Sequence, residues 1–313
     1  MQRDAATKPL PPPCRRCRAG LLALVLAAGA ALAGGCRTGP DAGAGARYFG
    51  PTQTMYDVVR EINENNQAIG SLFCKHYFEA TIYDEKKESH FVNANGTLML
   101  LKPRDFYFDG VKEAVGKVVE MGSNAAQYWL RIDDTKQVTL WWGAYANINK
   151  PCSKEIPIRP DLIMEVLGVG NIPGDFTEPP VPVMRFNNDA DAYMLTWNAP
   201  GKDRWYSEKE IWYDRRTKLP TLVLLYDANG RVILRAKLSG HRGVRVADQP
   251  EERWPKLATD YRLFFPENRS QMWIQLSDLA LKSDNGFPKP GGIKLKRNPE
   301  STEKQIQLDE NCK

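Results

Sequence analysis

The chain has 313 residues and a formal net charge of +5 at pH 7, of which the first 35 residues supply +4. The remaining 278 residues therefore carry a net charge of only +1, which gives no support for nucleic-acid binding. Their number suffices for one large β-rich domain or two smaller domains.

The N-terminus has the layout of a secretory signal. Arg15, Arg16 and Arg18 precede an uncharged apolar run at 21–33. At a rise of about 1.5 Å per residue, a helix of this length falls well short of the roughly 30 Å of bilayer hydrocarbon. We therefore interpret the run as an export signal and not as a membrane span.

The apolar run ends in the sequence LAGGC at 32–36, which resembles a bacterial lipobox. In that motif the signal peptidase cleaves before the cysteine, and the cysteine thiol is acylated. We expect a signal peptide at 1–35, followed at 36–53 by a lipidated Cys36 and a flexible tether rich in Gly and Ala. Ala33 stands where the motif usually has leucine. The alternative is an ordinary secretory signal cut near Ala33, which leaves Cys36 a plain thiol.

The remaining cysteines and the histidines give little sign of a metal site. Beyond Cys36 only Cys74, Cys152 and Cys312 occur, so at most one intramolecular disulfide can form. The alternative is that all three are free thiols. The chain has three histidines, and none has the spacing of a zinc ligand pair. We expect neither a metal nor a cofactor.

Two helices are predicted. The first covers 55–69, where residues at helical spacing are apolar apart from Asn66, and Thr54 is placed to cap it. The second covers 160–167, with Pro160 at the first helical position and Gly168 at the stop. Its apolar residues form one stripe, so we expect it to pack on an apolar surface.

Elsewhere the hydrophobic period is two, and short polar turns separate the runs, as is typical of strands joined by hairpins. Strands so close in sequence leave no room for helical crossovers, so the sheet must be mostly antiparallel. We expect about a dozen strands within a domain at 54–282. The polar tail at 283–313 should lie on the surface or be mobile, with 305–308 as a final edge strand.

Several loose motifs resemble the LolA/LolB-like superfamily of lipoprotein carriers and receptors, over about 55–281. They are LLKPRDF at 100–106, GSN at 122–124 before YWL at 128–130, and IWYD at 211–214 with TKLP at 217–220. The resemblance implies a mainly β fold with α: a curled antiparallel sheet, or open, incomplete β-barrel. It also implies that the N-terminal helix and a short internal lid helix partly cover an apolar concavity that holds acyl chains.

The lids and the strand tryptophans supply the candidate binding residues. Adjacent residues of a strand face opposite sides, so Trp141 and Trp142 cannot both line the concavity. The candidates for the lid and the cavity are Ile62, Ile69, Leu162, Ile163, Val166, Leu167, Trp129, Trp141 and Trp142.

The sequence therefore predicts a membrane-anchored envelope lipoprotein that faces the periplasm and binds an acyl-chain lipid or a lipoprotein. Arg37 stands where lipoproteins kept at the inner membrane of well-studied diderm bacteria have aspartate, which favours the outer membrane, but the sequence does not decide between the two membranes. No catalytic constellation occurs, and Gly168 and Gly170 lack the third glycine of a dinucleotide motif, so we expect no enzyme activity. The alternative is a non-catalytic interaction or sensor module that keeps the fold with a filled cavity. The sequence does not identify its protein partners.

The substitution Cys36→Ser should release the protein from the membrane fraction or leave it unprocessed. Lipoprotein processing adds at least two acyl chains, whereas a single chain holds a protein to a bilayer only reversibly, with a binding constant of about 10⁴ M⁻¹. Fractionation followed by mass spectrometry measures both outcomes. The control Cys312→Ser keeps the anchor and should stay with the membrane. A processed C36S protein that still sediments with membranes contradicts the assignment.

Overall fold

The computed structural model describes residues 48, 50–83, 87–134, 137–150, 153, 155–281, 292–295 and 303–310. The chain forms two units, Met1–Arg47 and Tyr48–Lys313, and every described residue belongs to the second. The predicted signal peptide, the lipidated Cys36, and Cys152 and Cys312 lie outside the described residues. Cys74 is a buried free thiol.

Helix α1 covers Met55–Ala68 and helix α2 covers Pro160–Val166, each within one residue of its predicted end. The strands are β1 Ser71–Tyr83, β2 Ser89–Leu101, β3 Asp105–Lys112, β4 Gly116–Ser123, β5 Gln127–Asp134, β6 Gln137–Ala144, β7 Val181–Asn187, β8 Ala192–Pro200, β9 Trp205–Asp214, β10 Pro220–Tyr226, β11 Val232–Ser239, β12 Arg242–Gly243, β13 Lys256–Leu257, β14 Asp260–Phe265, β15 Ser270–Ala280 and β16 Lys304–Gln307.

Local sequence explains where both helices begin and end. The Thr54 hydroxyl accepts a hydrogen bond from the Asp57 amide and caps α1. Pro160 opens α2 at a position where its missing amide hydrogen has no helical partner. Gly168 follows the end of α2 with a φ of +70°, and a β-carbon at this position would lie 2.7 Å from the Pro220 side chain.

Fourteen strands of the described residues form one sheet, in the order β16-β6-β5-β4-β3-β2-β1-β15-β14-β11-β10-β9-β8-β7. Thirteen of them pair antiparallel with their neighbours, which confirms the predicted mainly β, open sheet. The number of strands exceeds the predicted dozen. The edge strand predicted at 305–308 is present as β16, but it pairs with β6 in parallel, because a long connection lets the tail return in either direction.

The two faces of the sheet are unequal. One face packs with α1 and α2 into a continuous apolar core, to which the helices contribute Val58, Ile62, Ile163 and Val166. The opposite face has a small apolar cluster that Ile293 of the tail helps to bury. The Asn124 side-chain amide donates to the Ile293 carbonyl at 2.8 Å, so this part of the predicted surface tail is bound to the domain.

The register places the turns at two ends of the sheet. Those at 102–104, 124–126, 188–191, 215–219 and 240–242 share one end, which we call the lid rim. Helix α1 lies across this rim, where Glu61 pairs with Lys218 at 3.3 Å and Lys102 donates to the Asn66 carbonyl at 2.6 Å. The turns at 113–115, 227–231 and 266–269 lie at the far end.

Phe108 and Phe91 form a matched pair for testing the packed face. Phe108 is fully buried and stacks on His76 with ring centroids 4.0 Å apart, whereas Phe91 is 62% exposed. Phe108→Ala should lower the free energy of unfolding by about 3–5 kcal/mol. Phe91→Ala should change it by less than about 0.5 kcal/mol. Denaturant titration measures both values, and equal effects would contradict the assignment of the two faces.

Candidate functional site

Most of the predicted lid and cavity residues meet on the helix-covered face. Five of them are almost fully buried in the core there, and Leu162 and Trp141 are half-buried against it. The five are Ile62, Ile69, Ile163, Val166 and Leu167. Cys36 lies outside the described residues.

Trp129 and Trp142 do not join them. They lie opposite each other in the β5–β6 pair and belong to the cluster on the other face, where Trp129 is fully buried. Trp141, their neighbour in the strand, faces the helices. Alternation separates Trp141 from Trp142, as expected, and Ile293 and Leu295 of the tail pack in the cluster that contains Trp129 and Trp142.

The protein's own side chains occupy the centre of the concave face. Phe78, Phe108, Met121 and Tyr261 meet there, and none is more than 3% exposed. The open space described next therefore lies to one side of the packed centre.

A cleft of about 340 Å³ lies beside α2, between the segment at 168–180 and strands β8 and β9. Its floor is apolar and consists of Trp197, Ile211 and Tyr213, all of which are at most 5% exposed. This volume is at the lower end of the range of about 300–1,000 Å³ for small-molecule sites. Such a cleft can take one alkyl chain or part of one.

Helix α1 holds the outer wall of this cleft. The Asn63 amide donates to the Ile172 carbonyl at 2.8 Å, and the Ile172 amide donates back to Asn63 Oδ1 at 2.9 Å. Asn66 donates to the Gly170 carbonyl at 2.8 Å. The sequence signalled Asn66 as the polar residue within an apolar stripe, but no local pattern indicated that both amides bind the segment at 168–180.

Charged side chains border the cleft. Lys209 and Glu165 form an ion pair at 2.7 Å, and the Lys209 ammonium lies 5.0 Å from the centre of the Trp197 ring. Asp175 and Glu178 also line the opening. The cleft therefore combines an apolar floor with a polar entrance, an arrangement suited to an amphiphile.

The packed centre beneath the lids is uncharged at neutral pH. Burial lowers the pKa of His76 to about 4, and the backbone and the charge of Asp109 only partly oppose this shift. Burial also raises the pKa of Cys74 to about 12 and that of Tyr261 well above its usual value. Each of these groups is in its neutral form, which keeps this face compatible with hydrocarbon.

Two further findings concern the described residues alone. They contain no cluster of three or more side chains able to ligate a metal ion. No helix among them has both the length and the apolar character needed to cross a bilayer.

No protein-family model matches the sequence, and no curated protein matches it. Among solved structures, a DUF1329 family protein from Desulfovibrio piger is 14% identical, with a TM-score of 0.49 over 76% of this chain and 97% of that one. A putative outer membrane lipoprotein-sorting protein domain from Vibrio parahaemolyticus is 12% identical, with a TM-score of 0.42 over 72% and 90%. A LolA superfamily protein from Nitrosomonas europaea is 11% identical, with a TM-score of 0.42 over 74% and 94%. These neighbours include the superfamily that the sequence motifs resemble, but likeness at this level transfers no residue role to this chain.

Asn63→Ala should loosen the wall of the cleft without unfolding the domain. Both hydrogen bonds to Ile172 are lost, so the Ile172 amide should exchange with solvent at least tenfold faster, as measured by hydrogen exchange. Asn65→Ala is the matched control, because Asn65 makes the same two kinds of bond to Lys256 instead. Equal exchange at Ile172 in N63A and the parent would show that Asn63 does not hold the wall.

Proposed function

We propose that this chain is a non-catalytic lipoprotein of the bacterial cell envelope that binds an acyl chain, either of a lipid or of a lipoprotein. Its anchor is lipid on Cys36, and its domain faces the periplasm from the outer membrane. The observation that supports binding is the cleft beside α2, with Trp197, Ile211 and Tyr213 as an apolar floor and the Lys209–Glu165 pair at the entrance.

The energies favour a small opening of the cleft over removal of the lids. Burying a chain of about sixteen carbons releases roughly 12 kcal/mol gross, at about 0.8 kcal/mol per methylene. Breaking the four hydrogen bonds between the side chains of Asn63 and Asn66 and the segment at 168–180 costs about 2–6 kcal/mol net. Lifting both helices would also expose their buried residues, at about 1.5–3 kcal/mol for each large apolar side chain, and would cancel the gain. The segment at 168–180 is therefore the part that moves.

A second candidate function rests on the packed centre of the concave face. Because Phe78, Phe108, Met121 and Tyr261 occupy it, the domain has the features of an interaction module with a filled cavity. In that case the cleft would accept a side chain of a partner protein, and free lipids would not bind.

Substitutions at two glycines of the segment at 168–180 distinguish these two candidate functions. Gly170 lines the cleft and Gly174 does not, and a β-carbon added to either meets no atom within 4 Å. Gly170→Trp should fill the cleft and weaken binding of a fluorescent fatty acid at least tenfold. Gly174→Trp should change the affinity less than twofold.

The binding titration uses the processed protein, with circular dichroism as the check on folding. Equal affinity of G170W and the parent would place the ligand outside the cleft. Failure of the parent to bind fatty acid, phospholipid or an acylated peptide would favour the interaction module.

A further inference from the structure

The first described residues of the domain are pinned to its surface. These residues, 48 and 50–53, belong to the predicted tether, and we call them the N-terminal strap. The Tyr48 amide donates to Asp191 at 2.9 Å, and Arg215 donates to the Tyr48 carbonyl at 3.0 Å and to the Gly50 carbonyl. The Gln53 amide donates to the Tyr193 hydroxyl at 2.9 Å. The strap therefore belongs to the folded domain and not to a flexible tether.

Arg215 is the centre of this attachment. Its side chain is 12% exposed, pairs with Asp191 at 3.3 Å, and lies 5.4 Å and 5.0 Å from the ring centres of Tyr48 and Phe186. A charge with so little water around it makes stronger hydrogen bonds than one on an open surface. The point at which the chain enters the domain is thus set by a shielded guanidinium.

This entry point lies on the lid rim, since Asp191 and Arg215 belong to the turns at 188–191 and 215–219. Helix α1 starts directly after the strap and crosses the same rim. It contacts Lys218 through Glu61 at its middle, Lys256 through Asn65, and Lys102 near its end. The strap and the lid therefore occupy one end of the sheet.

The length of the chain before the strap limits how far the lid rim can lie from the anchor. Twelve peptide units join Cys36 to Tyr48, which span at most about 40 Å when fully extended and about 20 Å as a flexible coil. Strand β1 has 13 residues, so the far end of the sheet lies roughly 40 Å beyond the rim.

We infer that the lid rim faces the bilayer that carries the Cys36 anchor, and that this same bilayer supplies or receives the acyl ligand. The inference rests on the proposed lipidation of Cys36. Tyr48, Tyr56 and Phe186 are 38%, 69% and 37% exposed at this end, and aromatic side chains are favoured at the bilayer interface. The far end also exposes apolar residues, including Phe91, Val115 and Trp205. The orientation therefore rests on the tether, whose coil length of about 20 Å is about half the length of the sheet.

The experiment measures which end of the domain approaches the lipid. The full, lipidated protein carries one fluorophore in a Cys152→Ser, Cys312→Ser background and is reconstituted into vesicles of phosphatidylethanolamine and phosphatidylglycerol with nitroxide-labelled headgroups. D189C places the label at the rim beside the edge strand β7, R242C places it at the rim after β11, and N229C and E267C place it at the far end. All four positions are exposed.

Both rim labels should be quenched at least threefold more than both far-end labels. Equal quenching, stronger quenching at the far end, or quenching of D189C without R242C would overturn the inference. Protein that fails to float with the vesicles would overturn it too, because the anchor is then misassigned. Fatty-acid titration of the same samples tests the cleft separately, so loss of that binding with the quenching contrast intact would refute only the ligand.

Discussion

The apolar concave face of this open sheet must be covered to keep water out. A closed barrel buries its inner face by itself, but this sheet ends at β16 and β7, so something else must exclude water. Helices α1 and α2 do so, and both must therefore place an apolar stripe inward at the lid rim. The positions of the cleft, the segment at 168–180 and the strap all follow from where these two helices lie.

Polar residues at the edge of the helix-covered face connect α1 to the cleft wall and to the turn that carries Arg215. Asn63 and Asn66 are amides near an apolar core, and such groups are costly unless their hydrogen bonds are made. Their partners are the Ile172 and Gly170 backbones, so the same bonds that satisfy α1 also hold the cleft wall. The cleft wall is therefore connected to α1. The ion pair between Glu61 and Lys218 connects α1 in turn to the turn that carries Arg215.

The open sheet also has two edges to protect. Strand β16 covers β6, and Leu308 continues that contact by donating to the Trp142 carbonyl. At the other edge, β7 carries Pro182, which lacks a donor, and the exposed Arg185. Proline and charge both disfavour pairing with another strand. The tail is therefore part of the packed domain. It covers one edge of the sheet, and its Ile293 covers the tryptophan cluster on the outer face.

Local patterns in the sequence predict the two helices, the alternation along the strands and a mainly antiparallel sheet, because these features depend on periodicity and turn residues. The open form of the sheet was an implication of the resemblance to the LolA/LolB-like superfamily. The sequence also predicts that Ile163 and Val166 face inward from α2, where both are buried, since an apolar stripe is readable within one helix. Three features could not be predicted from the sequence: the face on which Trp129 lies, the packing at the centre of the concavity, and the pairing of Lys209 with Glu165 beside a cleft. Those outcomes depend on side-chain volumes and on contacts between residues far apart in the chain, and no local pattern records them. The same holds for the strap, because Tyr48 and Arg215 are 167 residues apart and meet only when the whole sheet has formed.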